Sequence, residues 1–182
     1  MDESLAPPIP ASSLTPVSHR WSYLFLSLAL FTLDQGTKLW VQAAIPYGEG
    51  RPLTDWFSIV HWLNNGGLWG SLQDLSLVPR ILLFYLLPLA GLGFLLWLFA
   101  KSKSRFELAL LAVVLGGALG NIADRLRLGA VVDFLDFHIP GGWSWPAFNV
   151  ADACLSVGIC LLLLKVLFEK ESTEGGSASH PV

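Results

Sequence analysis

The chain has 182 residues, of which 53% are hydrophobic and 14% charged, whereas charged residues make up about 25% of an ordinary soluble domain. Together with a mean hydropathy of +0.57, this composition argues against a soluble globular protein and indicates a membrane protein. The net charge of −3 gives no support to nucleic-acid binding, and we expect no nucleic-acid partner.

The two ends of the chain differ in composition from the rest. Residues 1–20 begin with acidic residues and are rich in Pro and Ser, so they predict a disordered tail rather than a cleavable signal peptide. The final stretch, ESTEGGSASHPV, has a similar character. We therefore expect one membrane domain, residues 21–168, between disordered tails at 1–20 and 169–182.

Apolar segments dominate the middle of the chain. A helix needs about 20 predominantly apolar residues to cross the hydrocarbon core of a bilayer. The segments that reach or approach this length are 21–45, 77–100, 106–122 and 150–168. The sequence therefore predicts an all-α integral membrane protein with four transmembrane helices, the first of them interrupted by Asp34, Gln35 and Lys38.

The first long loop, residues 46–76, contains the stretch TDWFSIVHWLNN. Its side chains alternate between two faces, which predicts a short strand or two. This loop and the second long loop, 126–147, are also rich in Trp, a residue that favours the headgroup level of a membrane. We expect the loops to form a small extracytoplasmic, β-containing cap against the membrane surface.

The second and third segments contain residues that shape helices. Pro88 and Gly91 are expected to bend the second segment. Small residues allow neighbouring helices to approach closely, and the third segment contains Gly116, Gly117 and Gly120. We expect this segment to pack closely against its neighbours.

Basic residues predict the orientation, because short cytoplasmic loops are enriched in Lys and Arg. The connector KSKSR, residues 101–105, should face the cytoplasm, which places both termini inside and both long loops outside. Four arginines weaken this bias because they fall on the outer side: Arg51, Arg80, Arg125 and Arg127.

A set of polar residues maps to the outer half of the membrane under this topology. Its members are Asp34, Lys38, Asn121, Asp124, Arg125, Asp133, Asn149 and Asp152. Polar and ionisable residues within a bilayer are costly and gather around functional cavities. Their convergence therefore predicts a functional site near the outer surface.

Structural roles remain open for several of these residues. Asp34 and Lys38 have the i, i+4 spacing of an intrahelical ion pair. Asn149 and Asp152 have the spacing of a helix N-cap and its N3 carboxylate.

Other polar side chains also have structural interpretations. Asp124 and Arg125 could be interfacial charges, and we expect Asp136 to be solvated at the interface. His61 and His138 have no partner at metal-ligand spacing, so no metal site is expected. The two cysteines, Cys154 and Cys160, are interpreted as packing residues.

The remaining chemistry is acid–base catalysis by aspartates, because no nucleophilic Ser or Cys set and no phosphate-binding loop is present. Two carboxyl groups about 3 Å apart cannot both ionise and so share one proton. The ionised member can deprotonate a water while the protonated member polarises a peptide carbonyl. This state is suited to peptide hydrolysis.

Four stretches, in this order and at these spacings, carry a family resemblance. They are LDQGTK (33–38), NNGGLWG (64–70), GNIADRLRLGAVVDF (120–134) and FNVADACLSVG (148–158). The chain resembles the lipoprotein signal peptidases, or signal peptidase II, over about residues 21–168. This resemblance implies an aspartic endopeptidase of the bacterial inner membrane, without a cofactor and expected to be monomeric. It would act among membrane lipids on diacylglyceryl-modified prolipoproteins, cutting before the lipidated cysteine.

The resemblance also implies roles for individual residues. Asp133 and Asp152 correspond to the family's catalytic pair. The positions that would bind substrate or support this pair are Asp34, Lys38, Asn64, Asn121, Asp124, Arg125 and Asn149. The second motif departs from the family pattern, since Gly67 and Leu68 replace two alanines, which could alter how this loop grips substrate or inhibitor.

Two other functional classes compete with this interpretation. A proton or cation transporter would have polar residues through the full membrane thickness, whereas the inner stretches FLLWLFA and CLLLLKV are almost entirely apolar. A non-enzymatic scaffold would use the carboxylates only as caps and ion pairs. Replacing Asp133 or Asp152 with Asn would separate these interpretations.

Overall fold

The computed structural model describes residues 19–66 and 75–177. A 3₁₀ turn at Arg20–Tyr23 leads into the first helix. The elements that follow, in chain order, are α1 (Leu24–Ala44), β1 (Gly50–Thr54), β2 (Phe57–Asn64), α2 (Leu77–Lys101), α3 (Arg105–Leu128), β3 (Val131–Phe137) and α4 (Val150–Ser177).

Three helices in the described part of the chain, α2, α3 and α4, are long and apolar enough to cross a membrane. The most apolar stretch of α3 is 56% buried, against 0% in α2 and 11% in α4. α3 is therefore the central helix, and α1, α2 and α4 pack around it. The described residues thus form three apolar helices, the more polar helix α1 and a small antiparallel sheet.

Glycines allow α3 to approach its neighbours closely. A Cβ atom at Gly116 would lie 2.8 Å from the backbone oxygen of Ser27 in α1. A Cβ atom at Gly117 would lie 2.6 Å from the backbone oxygen of Ala151 in α4. Neither contact is tolerable for a side chain, so Gly116 sets the spacing between α3 and α1, and Gly117 sets the spacing between α3 and α4.

The polar residues of α1 face inward and its large apolar residues face outward. Asp34 and Lys38 are 0% exposed, whereas Phe25 is 74% and Trp40 56% exposed. This distribution is the reverse of that in a water-soluble helix. A helix with this distribution of residues is stable where it is surrounded by lipid.

A π-helical turn at Leu82–Leu86 interrupts α2 immediately before Pro88. Proline has no N–H with which to donate to the preceding turn, and such helices adjust locally at that point. The bend expected at Pro88 and Gly91 stays a prediction, and the structure shows a π-helical turn that ends two residues before Pro88.

The three strands form an antiparallel sheet in the order β1-β2-β3. β1 is an edge strand, which accommodates Pro52. The register between β2 and β3 shifts between Ile59 and Trp62. The shift breaks the predicted alternation, because Val60 and His61 are both buried.

Three predicted boundaries were wrong. α3 continues past the predicted end at 122 to Leu128, where Gly129, at φ 72°, ends it. Residues 131–137 were predicted as loop but form β3, because VVDFLDF is rich in strand-forming residues. α4 continues past its predicted end at 168 to Ser177. The i, i+4 ion pair between Lys165 and Glu169, at 2.7 Å, supports this extension. The predicted tail 1–20 lies outside the described residues up to 18.

Candidate active site

β3 and the start of α4 bring Asp133 and Asp152 to one cavity. The backbone N–H groups of Phe134 and Leu135 both donate to the Phe148 oxygen, at 3.0 and 2.8 Å. This pairing holds the residue before Asn149 against β3, so that α4 begins beside the strand that carries Asp133. Both aspartates line the resulting cavity.

Asn149 links the two aspartates. Its side-chain amide donates to Asp133 Oδ1 at 2.8 Å, and its backbone N–H donates to Asp152 Oδ2 at 3.2 Å. Its Oδ1 atom accepts a hydrogen bond from the Asp152 backbone N–H at 2.9 Å. Asn149 and Asp152 thus form a reciprocal cap of α4, and the same cap orients the carboxyl group of Asp152 toward the cavity.

A second amide supports each aspartate. Asn64 Nδ2, at the end of β2, donates to Asp133 Oδ2 at 3.0 Å. Asn121 Nδ2, in α3, donates to Asp152 Oδ1 at 2.7 Å. Donors from β2, α3 and the start of α4 therefore fix the two carboxyl groups.

Burial and, to a smaller extent, the negative charge of Asp152 raise the pKa of Asp133 to about 7. The donors Asn64 and Asn149 oppose this shift. Asp133 is 4% exposed, so removal from water is the main cause. A carboxyl group in this state exchanges its proton near neutral pH.

A buried cluster of charges lies behind the aspartates. Lys38 Nζ is 2.9 Å from Asp34 Oδ2 and 3.0 Å from Asp124 Oδ2. It also donates to Asn121 Oδ1 at 3.1 Å. All three charged side chains are at most 1% exposed. The predicted i, i+4 ion pair is therefore present, as part of a larger cluster that joins α1 to α3.

Each carboxylate of the cluster also holds one aspartate-bearing element. Asp34 Oδ1 accepts a hydrogen bond from the Ala151 backbone N–H, at 2.9 Å, in the first turn of α4. Asp124 Oδ2 accepts one from the Val132 backbone N–H, at 3.1 Å, in β3. Lys38 thereby connects the backbone positions next to Asp152 and Asp133 through two ion pairs.

Gln35 belongs to this cluster and was missed as a site residue by sequence reasoning. Its Nε2 atom lies 3.1 Å from both Asp34 Oδ2 and Asp124 Oδ1, and 3.2 Å from the backbone oxygen of Gly120. The signal available in the sequence was its position beside Asp34, in the interruption of the first apolar segment.

The cavity has a volume of about 1020 Å³. Arg125 lines it, and its Nη1 atom donates to the Asn121 backbone oxygen at 3.2 Å. Other lining residues come from β2, the 145–148 stretch and the exposed side of α4: Trp62, Asn64, Trp145, Phe148, Ala153, Ser156 and Val157. All the predicted site residues thus either line the cavity or support residues that do.

The remaining polar residues of the loops have structural partners. Asp136 is 8% exposed, so the prediction that it is solvated was wrong. Its carboxylate pairs with His138 Nδ1 at 3.0 Å and accepts from Ser144 Oγ at 3.1 Å, closing the loop after β3. Within residues 19–66 and 75–177, no group of three or more His, Cys, Asp or Glu side chains could hold a metal ion. Gly67 and Leu68, which depart from the family pattern, lie outside the described residues.

The fold and the cavity together define a class of protein, a membrane-bound aspartic peptidase. The family model described as signal peptidase (SPase) II matches residues 26–168. The chain is 41% identical over 146 residues to a lipoprotein signal peptidase of Ralstonia nicotianae, covering 80% of this chain and 83% of that protein. It is 38% identical over 161 residues to one of Tolumonas auensis, covering 87% and 96%.

A solved structure agrees with these matches. A bacterial membrane enzyme determined by the in meso method at 2.3 Å resolution superposes with a TM-score of 0.72 and 27% identity, covering 89% of this chain and 94% of that one. The chain belongs to the signal peptidase II family, and it is a bacterial membrane protein.

Proposed function

We propose that this protein removes the signal peptide from diacylglyceryl-modified prolipoproteins, cutting before the lipidated cysteine. The observation that carries the proposal is the placement of Asp133 and Asp152 in one cavity, with Asn149 hydrogen-bonded to both. The names of the related proteins, lipoprotein signal peptidases, support the choice of substrate.

Hydrolysis would use one proton shared by Asp133 and Asp152. The ionised carboxylate removes a proton from water, and the resulting hydroxide attacks the scissile carbonyl carbon. The protonated carboxyl group donates to the carbonyl oxygen as the tetrahedral intermediate forms. Collapse of the intermediate breaks the C–N bond, and the proton taken from water passes to the leaving amine. No cofactor takes part in these steps.

Most of the supporting residues would act through the position of the two aspartates. Asn121 and Asn149 orient the carboxyl groups directly, while the cluster of Asp34, Lys38 and Asp124 holds the backbone beside them. Asn64 and Arg125 line the cavity and are positioned to contact substrate.

The proposed arrangement in the membrane has four crossing helices. The outward-facing apolar residues of α1 suit lipid, which supports α1 as the fourth crossing despite its buried charges. The sheet would then cap the bundle on the extracytoplasmic side of the bacterial inner membrane, with both termini in the cytoplasm. Residues 21–168 would form the peptidase domain, and the protein would act as a monomer.

A doubly acylated substrate remains in the bilayer, because each buried CH₂ group contributes about 0.8 kcal/mol to anchoring. The substrate would therefore reach the cavity laterally between helices, in contact with membrane lipids. Ala153, Ser156 and Val157 line the cavity from the helix α4, which supports an opening toward the lipid on this side.

The test is cleavage of a lipidated precursor by the purified protein in lipid, followed by gel mobility. The expected result is release of the signal peptide, with a precursor that lacks the diacylglyceryl group cut far more slowly. Absence of cleavage would contradict the proposed function. Equal cleavage of both precursors would contradict the proposed lateral access.

A further inference from the structure

The cavity extends beyond the two aspartates along one face of α4. Asp152, Ala153, Ser156 and Val157 all line it, and their spacing of one and four residues places them on a single helical face. The face begins at the catalytic carboxyl group and leads into the apolar part of α4. Its first turn has only small side chains, Ala153 and Ser156.

Ser156 is the only side chain with a hydroxyl group on this face. The structure gives it no hydrogen-bond partner among the described residues, although it lines the cavity and is exposed within it. Hydroxyl groups at membrane depth normally find a partner, because no bulk water is present there. A ligand that offers an acceptor at this point would satisfy it.

Distances along the helix indicate which part of the substrate would supply the acceptor. Ser156 follows Asp152 by four residues, which corresponds to about 6 Å along the axis. An extended peptide advances about 3.3 Å per residue. A substrate with its scissile bond at the aspartates would therefore place the residue about two positions away beside Ser156.

The direction of the substrate also follows from α4, which runs from the sheet into its apolar stretch. A signal peptide contains an apolar region of about 7 to 15 residues, and this part must follow the helix into the hydrocarbon. An acyl chain would match the apolar residues, but its acceptors are confined to the ester linkage at its end, whereas an extended peptide offers a carbonyl group at every residue along the face. The peptide on the signal-peptide side of the cut fits both the apolar residues of the face and the hydroxyl group of Ser156.

We propose that Ala153 and Ser156 form a subsite for the substrate residue about two positions before the scissile bond. The Ser156 hydroxyl donates to a backbone carbonyl of this segment, and the small side chains of Ala153 and Ser156 leave room for the side chain of the residue bound there. Ser156 is thus a specificity-determining residue of the cleavage reaction. This inference rests on the proposed function of the same cavity.

The test measures kcat and KM for lipidated precursors that carry Gly, Ala, Val or Leu at the second position before the scissile bond. The same four residues are also placed at the first and at the third position before this bond. Ser156→Ala is expected to raise KM about two- to tenfold, the value of one hydrogen bond, with kcat little changed. Ser156→Thr retains the hydroxyl group and is expected to restore KM.

Ser156→Leu is expected to reduce cleavage of precursors with Val or Leu at the second position much more than cleavage of the Gly precursor. The matched control is Val166→Phe, which adds bulk at an exposed position of α4 that does not line the cavity. It should leave the selectivity unchanged.

Three outcomes would overturn the inference while leaving the proposed function intact. One is wild-type KM in Ser156→Ala, as expected if the hydroxyl bonds only to its own helix. Another is an equal loss of cleavage rate in Ser156→Leu for every precursor. The third is a loss that depends on acyl-chain length rather than on the peptide residue. Failure of the wild-type protein to cut any precursor would instead contradict the proposed function and this inference together.

Discussion

Lys38 is a fully buried cation that balances two buried carboxylates, Asp34 and Asp124. A buried ion pair contributes little net stability when it forms, but removal of one partner is costly because the other charge remains in a low dielectric. Here both carboxylates also accept backbone hydrogen bonds from the elements that carry Asp133 and Asp152. The lysine therefore couples stability of the fold to geometry of the site.

We predict that Lys38→Met destabilises the protein by about 3–5 kcal/mol, the usual cost of breaking a buried pair. Thermal unfolding in detergent would measure this as a lower Tm. Lys103→Met, which removes an exposed lysine from the α2–α3 connector, serves as the control and should change Tm little. Equal Tm values for the two variants would contradict a structural role for the cluster.

The pH dependence of cleavage should have an alkaline limit set by Asp133. Burial and the negative charge of Asp152 raise its pKa to about 7, and the proposed reaction requires one proton shared by Asp133 and Asp152. Activity is therefore expected to fall as the pH rises through about 7 and this proton is lost. Measurement of kcat/KM at about ten pH values between about pH 5 and about pH 9 would locate the pH at which activity is lost.

Asn64→Ala provides a further test of whether Asp133 sets the alkaline limit of activity. The Asn64 amide favours the ionised form of Asp133, so its removal should raise the pKa and move the alkaline limit upward by about half to one pH unit. A shift toward lower pH would contradict the assignment of this limit to Asp133.

Sequence reasoning identified most of the polar residues of the site because charges are rare in apolar segments. The N-cap and catalytic interpretations of Asn149 and Asp152 seemed to be alternatives, but the same hydrogen bonds satisfy both geometries. Sequence reasoning did not identify Gln35 as a site residue, because a neutral amide in a helix has many ordinary roles. Only the three-dimensional structure brings its amide group within reach of both Asp34 and Asp124.

At the scale of elements, the glycines of α3 determine how closely the helices pack. Gly117 faces the first turn of α4, next to Asp152, while Gly91 in α2 has nothing within 4 Å of the place where a Cβ atom would lie. The two positions form a matched pair, since both are helical glycines and differ in whether a Cβ atom would meet a neighbour.

We predict that Gly117→Ala costs about 1–3 kcal/mol through overpacking and also lowers cleavage activity by displacing the start of α4. Gly91→Ala should be neutral or slightly stabilising, because Ala favours helix more than Gly does. Tm and kcat/KM of both variants would be compared. Equal changes of Tm and kcat/KM in Gly117→Ala and Gly91→Ala would contradict the role of Gly117 in the packing of α3 against α4.

The apolar helices were predictable from length and hydropathy, and the observed α2 bounds agree closely with the predicted 77–100. β3 was missed although VVDFLDF is rich in strand-forming residues, because the strand with which it pairs, β2, is remote in sequence. The end of α3 was missed for a related reason. Asp124 and Arg125 suggested an interface, but both are part of a continuous helix whose end is set by Gly129.

At the scale of the whole molecule, polar residues are concentrated inside and apolar residues outside. The proposed topology places the α2–α3 connector in the cytoplasm and the β1–β2 turn outside. Single cysteines at Lys103 and Asp55, both exposed, would test it after Cys154 and Cys160 are replaced by alanine. In intact bacteria, a membrane-impermeant thiol reagent should label Asp55→Cys and not Lys103→Cys. The reverse pattern would contradict the topology.

The catalytic pair is tested most directly by the cleavage rate of a lipidated precursor with Asp133→Asn and Asp152→Asn, alongside Asp55→Asn as the control at an exposed turn. Either catalytic substitution should reduce kcat/KM by roughly 10³-fold or more, while Tm and membrane insertion show that the variant is folded. Asp55→Asn should retain wild-type activity. Normal cleavage by the two catalytic variants would contradict the account.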